Sequence, residues 1–152
     1  SSPCDGTLFR KKIRKINPNW FTNKVHMAEI SSIINSKEQN IYHVYFENGA
    51  KTKVHIHNGN QIRIVTNGKG VLETFSKKGN KKTHFGIKKI QRISLNPGDV
   101  AYIQKGTLHT HGSVNKKNLF SHIAINILPA RKKYKTIWYE SDFKTLASDI
   151  IK

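Results

Sequence analysis

The stretch Gly49-Ala50-Lys51-Thr52-Lys53-Val54-His55-Ile56-His57-Asn58-Gly59-Asn60-Gln61-Ile62-Arg63-Ile64-Val65-Thr66-Asn67-Gly68 decides how this chain reads. On both sides of Asn58-Gly59, a dipeptide that favours tight reversal, β-branched residues alternate with polar ones. His55 and His57 stand two apart, so on a strand both point to one face. Gln61 opens the following strand, just beyond the turn. A second pair with the same spacing, His109 and His111, stands on a later segment. Imidazole nitrogens and an amide oxygen from neighbouring strands can converge on one cation, as divalent metal sites require. One His-x-His is commonly structural; two inside an all-β pattern point to a site.

Outward from this stretch the same pattern continues. β-type runs occupy residues 24–30, 41–46, 52–57, 61–66, 71–75, 87–93, 100–104 and 120–127, punctuated by Asn48-Gly49, Asn67-Gly68, Lys78-Gly79-Asn80 and Asn96-Pro97-Gly98. Short strands separated by turn residues, without a long helical period, predict an all-β antiparallel sandwich or barrel. At 152 residues the chain holds one domain with a real core. The expected division is a basic extension over 1–18, a barrel over 19–140 and a tail over 141–152. In the tail, Ser141-Asp142 is expected to cap a short helix carrying Phe143, Leu146 and Ile150 on one face.

Global composition sets limits on function. The formal charge is +18, from 27 Lys and Arg against 9 Asp and Glu. Such a field concentrates anions, nucleic acid among them. The basic residues are nonetheless dispersed, apart from residues 10–15 and 77–82, and no basic-aromatic interleaving of the RNA-binding kind occurs. A compositional bias therefore ranks ahead of an anionic small molecule, and that ahead of nucleic acid. No stretch has the ~18 apolar residues of a membrane helix. Cys4 is the single cysteine, which rules out an intrachain disulfide and favours the cytoplasm. The chain opens on Ser1-Ser2-Pro3 rather than Met, so a trimmed start, with or without a signal, is expected.

The residues also resemble a family. Gly49, His55, His57, Gln61 and Gly68 meet every spacing of the first cupin motif, with Gln in place of Glu. Gly98, Gly106 and His109 match the second motif, where Gln104 replaces Pro and Ser113 replaces Asn. Trp20-Phe21-Thr22, the run from Phe46 to Thr52, Pro97-Gly98-Asp99-Val100, His109-Thr110-His111-Gly112 and His122-Ile123-Ala124-Ile125 are similar to the branch that includes manganese-dependent bacterial hydroxynitrile lyases. The resemblance spans about residues 19–140. It implies a jelly-roll β-barrel and one divalent transition metal on His55, His57, Gln61 and His109. Manganese or iron is favoured, with nickel, copper and zinc admissible. A homodimer is implied as well.

With Gln61 the ligand set is neutral, so a bound ion keeps its full charge and polarises a substrate oxygen more strongly. His111 and His122 are the candidate acid–base groups, because imidazole exchanges protons near neutral pH. The resemblance places Thr52 at the pocket wall, with strand packing as the competing role. By strand parity Arg63 and Lys53 also face inward, where a lone cation is costly unless it reaches the barrel mouth or meets an anionic ligand. His26, His43 and His84 receive no role. The expected function is metal-assisted lyase or decarboxylase-like chemistry on a small organic substrate, anionic if Arg63 and Lys53 face a ligand. The alternatives are an oxygenase, a non-catalytic binding protein and, last, a nucleic-acid-associated protein.

Overall fold

The computed structural model describes residues 11–34, 37–114, 116–117 and 119–152. Residues 1–10 of the basic extension lie outside the described residues. Twelve strands are found among those described: β1 (Lys12–Arg14), β2 (Val25–Glu29), β3 (Gln39–Phe46), β4 (Val54–His57), β5 (Gln61–Asn67), β6 (Gly70–Lys77), β7 (Phe85–Leu95), β8 (Val100–Ile103), β9 (Leu108–Ser113), β10 (Phe120–Ile127), β11 (Thr136–Ser141) and β12 (Leu146–Ile150). A 3-10 turn, Pro18–Trp20, starts on Asn17, whose side chain accepts from Asn19 N.

Every pairing is antiparallel, as the alternating pattern predicts. One sheet runs β1-β2-β3-β10-β5-β8; the other six strands, in the order β11-β12-β7-β6-β9-β4, close on themselves as a barrel. Each residue type follows its face. On β4, Val54 turns into the closed barrel, where it packs with Phe75, Phe85, Ile87, Leu108, Tyr139 and Ala147. Its neighbour His55 takes the opposite face, toward the first sheet. A second core of Val44, Phe46, Val65, Leu72, Leu95 and Phe120 fills one end of the space between the sheets. The other end stays open as a cavity of about 310 Å³. The Asn48-Gly49 turn after β3 has both residues at positive φ (51° and 73°), a conformation that Asn and Gly tolerate best.

Two sequence expectations are corrected. The tail is no helix: β12 pairs with both β11 and β7 and completes the barrel. The Ser141-Asp142 capping signal is genuine, but it serves a hairpin turn. Asp142 Oδ1 accepts from the N–H groups of Lys144, Thr145 and Leu146, and Ser141 Oγ accepts from Phe143 N. The same short acceptors satisfy a helix start or a tight turn, so local chemistry could not separate the two. Burial of Ala147 inside the barrel decided it. The described end of the basic extension is also part of the domain, because β1 pairs with β2 of the same chain.

Candidate metal centre

The cavity lies between the histidine face of the closed barrel and the inner face of the first sheet. Strands β4 and β9 bring His55 opposite His109 in register. His55, His57 and His109 are buried, with a ligand atom from each within 4.8 Å of the others. Their outer nitrogens are already engaged. His55 Nδ1 donates to Lys53 O and His109 Nδ1 donates to Thr107 O, each at 2.8 Å. A carbonyl can only accept, so these two rings carry their proton on Nδ1 and present a bare Nε2 to the cavity. His57 Nδ1 lies 2.8 Å from Thr136 Oγ1, and its Nε2 is buried without a partner. Imidazoles anchored through Nδ1 with an unprotonated Nε2 turned inward are the donor set a divalent transition metal takes, so the residues fit the ion.

Gln61 is oriented by a residue that no motif marks. Its Nε2 donates to Asn126 Oδ1 at 2.5 Å, which leaves Oε1 facing the cavity. That oxygen accepts from Arg63 Nε at 2.6 Å. Arg63 is fully buried, with Nη2 3.0 Å from His109 Nε2 and Nη1 without a partner. Burial pushes the guanidinium down to about 9, so it stays charged at neutral pH. Tyr134, across the cavity, is no counter-ion, since burial pushes its phenol up. Arg63 therefore faces inward, the deeper of the two placements its parity allowed.

His111 and His122 form a second imidazole group beside the first. Their ring centroids are 5.0 Å apart, and His111 lies 5.4 Å from His55. Both nitrogens of His122 and Nδ1 of His111 are buried without partners. Burial, reinforced by the Arg63 charge, lowers both rings well below their ordinary value. Both are thus neutral at pH 7, not half-titrated there as the sequence suggested. Burial also drives His57 down to about 3 and holds His55 and His109 well below 6.5.

Thr52 reaches the cavity wall, where its Oγ1 accepts from His111 N at 3.1 Å. Lys53 does not reach it: its ammonium pairs with Glu140 at 2.9 Å. Regular pairing begins only at Val54, and Lys53 N donates to Trp20 O, so strand parity does not extend back from His55. His26 pairs with Glu47, His84 with Asp149, and His43 with Thr66; all three lie outside the cavity. Sequence reasoning missed Asn126, Thr136, Trp138 and Arg14. Trp138 stacks on His55 with centroids 4.2 Å apart, and Arg14 lines the cavity while donating to Tyr42 Oη at 2.6 Å. These four come from segments far from either motif, and only the pairing of β11, β10 and β1 reveals them.

The fold and the inward imidazoles define a single-domain antiparallel β protein with a candidate metal centre. The family model for cupins matches residues 17–138, and the chain belongs to the cupin family. Among solved structures it is similar to a cupin-like protein from Thermotoga maritima, with 27% identity, 89% of this chain and 90% of that chain covered, and a TM-score of 0.62. A predicted oxalate decarboxylase from the same organism is 18% identical, over 78% of this chain and 94% of its own, at a TM-score of 0.57. A cupin superfamily protein from Desulfitobacterium hafniense is 20% identical, over 70% and 80%, at 0.53. No curated protein sequence matches the chain.

Proposed function

We propose that this cupin is a metal-dependent enzyme acting on a small carboxylate, with lyase or decarboxylase-like chemistry. The reading rests chiefly on one observation: a fully buried guanidinium with no carboxylate partner among the described residues, and two imidazoles with unpartnered nitrogens, share one cavity with three converging imidazoles. His55, His57, His109 and Gln61 would hold one divalent ion, manganese or iron by the resemblance of the Gln61-containing motif. When bound, such an ion supplies Lewis-acid polarisation of a substrate oxygen. Arg63 recognises the carboxylate through its planar fork, and Arg14 adds positive charge at the same cavity. His122 or His111, neutral and each with an unpartnered nitrogen, takes a proton from the substrate in a lyase-type elimination or passes one to the carbanion left by decarboxylation. Thr52 holds the His111 backbone, and Trp138 shields the His55 face.

The test begins with elemental analysis of protein purified without added metal. About one transition metal per chain is expected, and His55→Ala combined with His109→Ala should abolish it. Retention of full metal content in that double variant refutes the ligand assignment. His111→Ala and His122→Ala should keep the metal and lose turnover; if both keep full turnover, the proton-transfer role is refuted, and a metal-loaded wild type that binds small carboxylates without converting them is a binding module. Arg63→Leu should weaken small carboxylates by roughly 1.5–3 kcal/mol, the scale of a hydrogen bond to a charged group.

We also infer a homodimer formed through the outer face of the first sheet. Ile41, Ile62, Ile64, Ile123, Ile125 and Tyr102 lie opposite one another across β3, β10, β5 and β8. The outward positions of these four strands bear no Lys, Arg, Asp or Glu, although the chain carries +18. Two such chains repel over most of their surface, and the Lys11 ammonium, 2.6 Å from His43 Nδ1, reaches this face only at β3, so a second copy fits best over β10, β5 and β8. Four strands by about seven residues cover roughly 400 Å² in projection, enough for the apolar centre of an interface burying about 800 Å² per partner. Sedimentation should show a dimer that Ile125→Glu or Tyr102→Glu converts to a monomer with unchanged metal content. A wild-type monomer at micromolar concentration overturns this.

A further inference from the structure

Arg63 occupies an acceptor that a metal would need. Its Nη2 lies 3.0 Å from His109 Nε2, while His109 Nδ1 is committed as a donor to Thr107 O. An imidazole Nε2 has one in-plane lone pair. It can accept from a guanidinium or ligate a cation, but not both. Gln61 Oε1, which accepts from Arg63 Nε at 2.6 Å, has two lone pairs and is not exclusive in this way. The conflict therefore falls on His109. Charge sharpens it, since a guanidinium fully buried beside a divalent ion repels it with little solvent between them. No carboxylate among the described residues contacts Arg63, whose Nη1 is unpartnered, so nothing in the fold draws the guanidinium away. The adjoining cavity of about 310 Å³ offers it room to move.

We propose that Arg63 and the metal compete for His109 Nε2, and that a carboxylate captured by Arg63 draws the guanidinium off the imidazole and so promotes metal binding. The inference rests on the metal reading above. It makes Arg63 an internal placeholder that satisfies the site without an ion and a recognition group once the ligand arrives. By linkage, the carboxylate raises metal affinity and the metal raises carboxylate affinity by the same factor.

The experiment titrates manganese(II) into metal-free wild type and Arg63→Met, with and without saturating acetate, by calorimetry or chelator competition. Arg63→Met, which cannot donate to His109, should bind manganese at least about tenfold more tightly than wild type. Acetate should strengthen manganese binding to wild type and do much less for the variant. Equal manganese affinities in the two proteins overturn the competition while leaving the metal reading intact. An acetate effect of the same size in both assigns it to the ion and likewise overturns the proposal. If neither folded protein binds manganese or another divalent metal, the metal reading itself fails, and the competition with it. Should Arg63→Met not fold, the wild-type arm decides: manganese affinity that acetate leaves unchanged refutes the coupling.

Discussion

Gln61 is held by Asn126: its amide Nε2 donates to Asn126 Oδ1 at 2.5 Å, deep between β5 and β10, which pair these two residues in register. A carboxylamide can present nitrogen or oxygen to the same space, and only the oxygen is a metal donor. Asn126 makes that choice for the site.

Asn126→Leu removes the acceptor and leaves the Gln61 amide free to turn. Manganese affinity is expected to fall by roughly ten- to a hundredfold, the usual cost of losing a partner that orients a ligand. Chelator competition measures it, and an unchanged affinity would show that Arg63 alone orients the amide.

Acid should unfold the metal-free protein early. Burial holds His55, His57, His109, His111 and His122 below the 6.5 of an unfolded chain, His57 down to about 3. Above pH 6.5 neither state binds these protons. Below it the unfolded chain takes them up and the fold does not, so stability falls as pH falls, by about 1.4 kcal/mol per ring per pH unit. Several rings acting together make that loss steep against a typical total stability of about 5–15 kcal/mol. Circular dichroism should place the acid midpoint near pH 4.5–5.5, and His122→Phe should move it lower. Native structure persisting at pH 3.5 would contradict a neutral buried cluster.

Gly112→Ala should destabilise the fold by about 1–3 kcal/mol. A Cβ there would lie 2.4 Å from Ala50 O and from Lys51 Cα, both backbone atoms that cannot yield cheaply. Those atoms belong to the segment leading through Thr52 to His55. Thermal melting reads the loss, and a midpoint equal to wild type would mean that the segment shifts freely.

The +18 charge has a simple expected signature. Binding to duplex DNA should be weak, indifferent to sequence and steeply lost with salt, since it would come from dispersed lysines releasing counterions. Tight binding that survives about 0.3 M salt would promote a nucleic-acid role.

The site was half legible in the chain. Two-residue spacing is a local property, and it correctly set His55 with His57, and His109 with His111, on shared faces of β4 and β9. The same rule failed for Lys53, one residue before regular pairing begins, and its acidic partner Glu140 lies far along the chain. For the tail, short-range acceptors marked a reversal without saying of what kind.

What the sequence determined by itself is therefore the alternation, the turns and the spacing of ligand-type residues, because each follows from φ/ψ preference and side-chain direction over a few neighbours. Only the tertiary structure decided that β12 closes a barrel, that Asn126 and Thr136 orient Gln61 and His57, and that Arg63 rests on His109. Those outcomes depend on pairing between residues up to 79 positions apart, as for His57 and Thr136. Long-range register is set by which buried faces can close together, and no local window of the chain contains that information.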